Sequence, residues 1–176
     1  MKRHVILVGL PGSGKTTVGR RAVELLSTDF ADFTDIDEAV ESETGRSIAR
    51  IFADSGEAEF RRLERAAMDR ALEQPPHLIA AGAGWIAQPG NLDAALAAGA
   101  AVVHLKVSPA TAAARIGDDQ ARPLLERGLR EGMAERIGQL LAEREQWYRQ
   151  STFEVDAERD VESVAREVAR AMSDER

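Results

Sequence analysis

The stretch Gly9-Leu10-Pro11-Gly12-Ser13-Gly14-Lys15-Thr16 matches the pattern G-x-x-x-x-G-K-[ST]. Its residue types suit one task, the grip of a polyphosphate. Glycines let the backbone turn tightly and approach phosphates with no Cβ in the way. Successive N–H groups of such a loop point inward as an anion nest, and a helix opening behind it adds its positive end. Gly12, Ser13, Gly14, Lys15, Thr16 and Thr17 are therefore the candidate nucleotide-binding residues. Lys15 would reach the β- and γ-phosphates, and the Thr16 hydroxyl would ligate Mg²⁺. The bland alternative is a ligand-free Gly-rich turn. A chance match is on the order of 10⁻⁵ to 10⁻⁴ per position at average composition, and this one follows an apolar strand pattern and opens a helical one.

The loop alone does not name the nucleotide's fate. No N-K-x-D guanine-reading motif follows, which argues against a GTPase switch. No later apolar run ends in Asp or Asp-Glu, the mark of ATPase motors. A short chain with a polar, Gly-bounded candidate lid at Gly117–Gly128 favours a small-molecule kinase using ATP and Mg²⁺.

The elements that must position these residues alternate. Apolar runs at His4–Val8, Phe33–Ile36, His77–Ala81, Ala101–Val107 and Thr152–Val155 read as five strands. Helical patterns fill the intervals: Lys15 to about Ser27, residues 38 to 74 with breaks at Gly45 and Gly56, and a short Ala-rich helix after Pro89-Gly90. Pro109 opens another helix, and two more run over about Leu129–Gln150 and Val161–Met172. This alternation predicts an α/β fold with a mostly parallel sheet in a single domain of 176 residues. The net charge of −7 speaks against a broad basic nucleic-acid face. An acidic protein that handles a nucleotide must concentrate positive charge locally. The chain has no Cys, and no apolar run approaches the roughly 20 residues that span a bilayer. No signal-peptide pattern opens it, so a cytoplasmic location is expected.

Asp35 and Asp37 end the second strand pattern two residues apart. A strand's period of two would turn both carboxylates to one face, at the sheet edge where ligands bind. The competing reading of Asp37 is a helix N-cap before Glu38-Ala39-Val40. Arg61 and Arg144 read by themselves as solvated helix positions, Arg61 at helical spacing from Glu57. Trp85 reads as core or as a pocket wall. His4, His77 and His104 sit in or beside apolar strands and read as structural.

Taken together, these residues resemble the shikimate kinase family over nearly the whole chain. The landmarks are Gly9–Thr17 with Val18-Gly19-Arg20, Thr34-Asp35-Ile36-Asp37, Ser47-Ile-Ala-x-Ile-Phe52 and Gly56-Glu-x-x-Phe60-Arg61-x-x-Glu64. Gly82-Ala83-Gly84, Arg122-Pro123-Leu124-Leu125, Arg144-x-x-x-Tyr148 and Val155-Asp156 follow in order. The resemblance implies a three-layer α/β/α P-loop kinase with a five-stranded parallel sheet. It also implies a helical substrate-binding insert at about 36–64 and a lid at about 117–128. It implies phosphoryl transfer from ATP to the 3-hydroxyl of shikimate, in the supply of aromatic amino-acid precursors, by an expected monomer. By the same resemblance Lys15, Asp37 and Arg122 are catalytic, and Thr16 and Asp35 serve Mg²⁺, Asp35 through water. Asp37, Arg61, Gly82, Ala83, Gly84 and Arg144 bind a hydroxylated carboxylic acid, the two arginines clamping its carboxylate. Arg115 and Arg159 pack near adenine, and Arg122 closes on the γ-phosphate.

The sequence departs from the family's forms at Ala83 where a third glycine is usual, at Trp85 where a small residue is usual, at Leu10-Pro11 and Ser13, and at Gln146-Trp147. Ala83 and Trp85 keep open another polyol or sugar acid, such as gluconate, as acceptor. A nucleotide-binding module without turnover is the alternative of a different class.

Overall fold

The computed structural model describes residues 3–26, 32–118 and 130–173. Five parallel strands form one sheet in the order β2-β3-β1-β4-β5. They are β1 (Val5–Val8), β2 (Phe33–Asp35), β3 (Leu78–Ala80), β4 (Ala101–Lys106) and β5 (Phe153–Asp156). All four residues of β1 and the first five of β4 are buried, so both faces of the sheet are covered. That burial explains why these strands are continuous apolar runs rather than alternating ones.

The helices among the described residues are α1 (Lys15–Leu26), α2 (Ile36–Thr44), α3 (Ile48–Glu73), α4 (Asn91–Ala97), α5 (Pro109–Asp118), α6 (Arg130–Tyr148) and α7 (Val161–Ser173). The anticipated breaks at Gly45 and Gly56 are present. Gly45 closes α2 in the left-handed region at φ 63°, and Gly56, at φ 78°, interrupts α3 with a kink. A single 3-10 turn, Trp85–Ala87, lies between β3 and α4. Helix α7 packs along α1, and an Arg21–Glu162 ion pair at 2.7 Å joins them.

Because every strand runs the same way, the loops leaving their C-terminal ends share one edge of the sheet. β1 feeds the glycine loop, β2 ends on Asp35, β3 leads into Gly82–Gly84, and β5 ends beside Ala157. That edge is where an open α/β sheet binds ligands. The lid expected at 117–128 falls mostly outside the described residues, as does Arg122, and the positions that are described there, 117 and 118, still belong to α5.

Candidate active site

The glycine loop and β2 line a cleft of about 490 Å³ together with Ala83 and Arg115. Gly12 shows why the loop cannot carry side chains freely. Its φ is +78°, and a Cβ there would lie 2.5 Å from the Ala112 carbonyl oxygen. Lys15 Nζ donates to the carbonyl oxygens of Gly9 (3.1 Å) and Leu10 (3.2 Å), which holds the ammonium over the loop. Thr16 Oγ1 donates to Asp35 Oδ2 at 2.5 Å. Thr17 lines the same cleft.

The expected geometry of Asp35 and Asp37 needs correction. The strand stops at Asp35, and Asp37 lies in the first turn of α2, so strand periodicity does not govern the pair. Asp35, not Asp37, is the N-cap. Its Oδ1 accepts from the N–H groups of Asp37 (2.9 Å) and Glu38 (3.3 Å) while Oδ2 takes the Thr16 hydroxyl. Both carboxylates still reach the cleft, because a capping residue and the second residue of its helix flank the same chain entry.

A second wall comes from α3. Arg61 Nη1 donates to Glu64 Oε2 at 2.8 Å, and Nη2 donates to Glu57 Oε1 at 3.1 Å. The Glu64 side chain is 1% exposed and that of Arg61 21%. In the sequence Glu64 stands out only as the last residue of the Gly56–Glu64 motif. Its three-residue spacing from Arg61 was the available signal, but the spacing is equally that of a surface pair. Burial is the first cause that pushes the Glu64 carboxyl above the ordinary range. Arg61 opposes it, and the nearby Asp37 charge adds to it.

The turn after β3 fits against this pair with no room to spare. A Cβ on Gly82 would meet Glu64 Oε1 at 2.1 Å and Asp37 Oδ1 at 2.9 Å, and one on Gly84 would meet Arg61 Nη2 at 2.4 Å. Neither glycine has a positive φ. Close approach, rather than backbone conformation, therefore demands glycine at both positions. Arg144 arrives from α6 on the other side and donates from Nη1 to the Ala83 carbonyl oxygen at 2.8 Å. Asp37, Arg61, Gly82, Ala83, Gly84 and Arg144 are thus drawn to one place beside the Lys15 cleft.

Trp85 is 3% exposed and belongs to the core, so the pocket-wall alternative falls away. Arg115 lines the cleft and donates to the Ala157 carbonyl oxygen at 2.9 Å. Arg159 does not line it. It donates to the Asp156 carbonyl oxygen at 3.0 Å and pairs with Glu167, at the rim of the same β5 exit. His104 is buried and stacks on Tyr148 with ring centroids 4.2 Å apart. Burial, above all, holds its pKa below the ordinary 6.5.

The family model for shikimate kinase matches residues 11–173. The chain belongs to the shikimate kinase family. It is 42% identical over 160 residues to the shikimate kinase of Mycobacterium avium (strain 104), covering 90% of this chain and 86% of that protein. It is 37% identical over 170 residues to that of Caldanaerobacter subterraneus subsp. tengcongensis, covering 96% and 95%. The fold is similar to a crystal structure of shikimate kinase from Bacteroides thetaiotaomicron (TM-score 0.87, 26% identity, 97% of this chain and 98% of that one). It is also similar to shikimate kinase from Acinetobacter baumannii in complex with shikimate (TM-score 0.81, 30% identity, 97% and 90%). A gluconokinase from Sinorhizobium meliloti, at TM-score 0.57 and 16% identity, shares the fold alone. The chain is an ATP-dependent small-molecule kinase. No helix among its described residues is long and apolar enough to cross a membrane.

Proposed function

We propose that the chain transfers the γ-phosphoryl group of ATP to the 3-hydroxyl of shikimate, with Asp37 as the proton acceptor and Arg61 and Arg144 as the carboxylate clamp. One observation carries this reading. Two guanidinium groups from different helices, Arg61 on α3 and Arg144 on α6, converge with Asp37 on the Gly82–Gly84 turn beside Lys15. A hydroxylated acid needs that arrangement: forks for its carboxylate at one end and a carboxylate for its hydroxyl at the other.

The acceptor oxygen bonds to the γ-phosphorus as the bond to the β–γ bridging oxygen breaks, and ADP leaves. Asp37 takes the hydroxyl proton. Lys15 and the loop amides balance the charge on the phosphate oxygens, so positioning and electrostatics supply most of the catalysis. Arg122, outside the described residues, is the proposed closing charge on the γ-phosphate. Arg115 and Arg159 are proposed for the adenine side. Mg²⁺ fits the donor set, since the Thr16 hydroxyl and the Asp35 carboxylate are hard oxygen donors held 2.5 Å apart next to Lys15. Thr16 would hold the ion directly and Asp35 through water. When bound, the ion neutralises developing charge on the phosphate oxygens.

The test is an acceptor panel read by ADP release. Shikimate turnover with gluconate inert supports the reading. Phosphorylation of another acid with shikimate inert overturns it, and calorimetric ATP binding with no turnover on any acceptor would indicate a nucleotide-binding module. Of the two features that favoured a different acid, burial of Trp85 removes one.

A further inference from the structure

The turn that faces the acceptor is held from behind by a residue on a different helix. Asn91 is the first residue of α4 and is 7% exposed. Asparagine is a weak helix former whose usual role at such a place is to cap its own helix. Here the cap position belongs to Gly90, with no side-chain cap bond, and the Asn91 amide bonds outside its own helix. Asn91 Nδ2 donates to the Trp85 carbonyl oxygen at 3.0 Å, and Arg65 Nη2 donates to Asn91 Oδ1 at 2.7 Å. The two partners fix the orientation of the amide. A guanidinium can only donate and a carbonyl can only accept, so the oxygen must face Arg65 and the nitrogen Trp85.

Arg65 is one residue beyond Glu64 and four beyond Arg61 on α3. The side chain of Asn91 therefore ties the turn to the helix that carries the acceptor clamp. The turn has little tolerance for movement. Gly82 and Gly84 lie so close to Glu64 and Arg61 that a single methyl group would not fit between them. On the opposite side Arg144 holds the Ala83 carbonyl. Within the turn, Trp85 N–H donates to the Gly82 carbonyl at 3.0 Å and Ala87 N–H to that of Gly84 at 3.2 Å.

We propose that Asn91, braced by Arg65, is a positioning residue that sets the distance between the Gly82–Gly84 turn and Arg61, and so the fit of the acceptor acid. The inference deepens the kinase function proposed above and rests on it for the identity of the acceptor. Loss of the Asn91 amide does not orphan the Trp85 carbonyl, which also accepts from Gln88 N–H at 3.1 Å. The turn should loosen without unfolding the protein.

The experiment compares Asn91→Ala, Asn91→Asp and Arg65→Met with the unsubstituted chain, varying acceptor and ATP separately. Asn91→Asp keeps an oxygen for Arg65 but turns a second acceptor on the Trp85 carbonyl. Both Asn91 variants should raise the acceptor KM about ten-fold, the value of one lost hydrogen bond of about 1.4 kcal/mol, with the ATP KM unchanged. Arg65→Met, on an exposed helix position, should give a smaller rise of roughly three-fold. Hydrogen exchange at the Trp85 and Ala87 amides should quicken in the Asn91 variants and not in the glycine loop. The KM ratio is taken on whichever acceptor the panel identifies, so inertness toward shikimate counts against the proposed acceptor and leaves Asn91 to be judged by the ratio. If no acceptor is turned over, the exchange rates decide. An unchanged acceptor KM, equal effects on both substrates, or unaltered exchange in the turn would overturn the proposal.

Discussion

Gly84→Ala is the substitution that most directly tests the clamp. The backbone permits it, since Gly84 sits at φ −95°, ψ −6°, a region open to residues other than glycine. The obstacle is space. The new Cβ would lie 2.4 Å from Arg61 Nη2 and 2.8 Å from Cζ. Ordinary contact begins near 3.4 Å, so the guanidinium must retreat by about 1 Å, the difference between 3.4 and 2.4. The clash is with the tip of a flexible, part-exposed side chain, so the cost sits at the low end for overpacking, about 1 kcal/mol. In a domain of this size each kcal/mol lowers Tm by about 2–4 °C, so a fall of about 2–4 °C is expected. The functional cost is larger. A charge-assisted bond to a carboxylate contributes about 1.5–3 kcal/mol, and its loss should raise the shikimate KM about ten- to hundred-fold. The glycine loop is not part of this contact, so the ATP KM should stay where it is. Steady-state ADP release with each substrate varied in turn reads both values, and thermal unfolding reads the stability. An unchanged shikimate KM in folded Gly84→Ala enzyme would refute Arg61 as a clamp.

Lys15→Ala should lower kcat by about 10³-fold while the protein stays folded, measured by ADP release and thermal unfolding. Glu64→Gln should raise the acceptor KM by loosening Arg61, and should also change how stability depends on pH. Burial raises the Glu64 pKa above its unfolded value, so its contribution is fully present below the unfolded pKa and is lost as pH rises through the folded one. The Tm of Glu64→Gln relative to the unsubstituted chain should therefore be higher at pH 8 than at pH 4.5. His104→Phe tests the opposite sign. Burial first, with Lys106 and Lys15 adding to it and Glu154 opposing, holds the His104 pKa below its ordinary 6.5, so the unfolded chain takes up the proton first and stability drains as pH falls below that value. Phenylalanine keeps a ring against Tyr148 and cannot titrate; its Tm should fall less between pH 7 and pH 5. An identical slope in the two proteins would show that His104 does not contribute.

The phosphate loop was legible because its proposed function is local: the residues that shape the loop are the residues proposed to touch the phosphates. The strands were legible because full burial of β1 and β4 demands unbroken apolar runs. Asp35 and Asp37 were legible as a pair but not in their geometry. Asp35-x-x-Glu38 is also a helix-start signal, and a strand of three residues gives way to a cap that satisfies the N–H groups of Asp37 and Glu38. Glu64, and Asn91 in the positioning role proposed for it, were illegible for a different reason. A helical Arg–Glu pair and a helix-start Asn are commonplace on surfaces. What makes these two different is burial against a turn that comes from another part of the chain, and no local pattern reports that.

The same distinction explains the departure at position 83. A run of three glycines invites the idea that the backbone needs left-handed conformations, in which case an alanine in the middle would be a defect. Neither flanking glycine adopts one. What they supply is clearance: Gly82 for Glu64 and Asp37, and Gly84 for Arg61. Residue 83 is between them, lines the cleft, and offers its carbonyl to Arg144. An alanine has the same carbonyl as a glycine, so the Arg144 contact is kept. What changes is the room left for the acceptor. Ala83 should therefore act on which acids fit and leave the phosphoryl-transfer roles proposed for Lys15 and Thr16 untouched. If Ala83→Gly lowered kcat for every acceptor equally instead of shifting their relative KM values, clearance would not be the governing constraint in this turn.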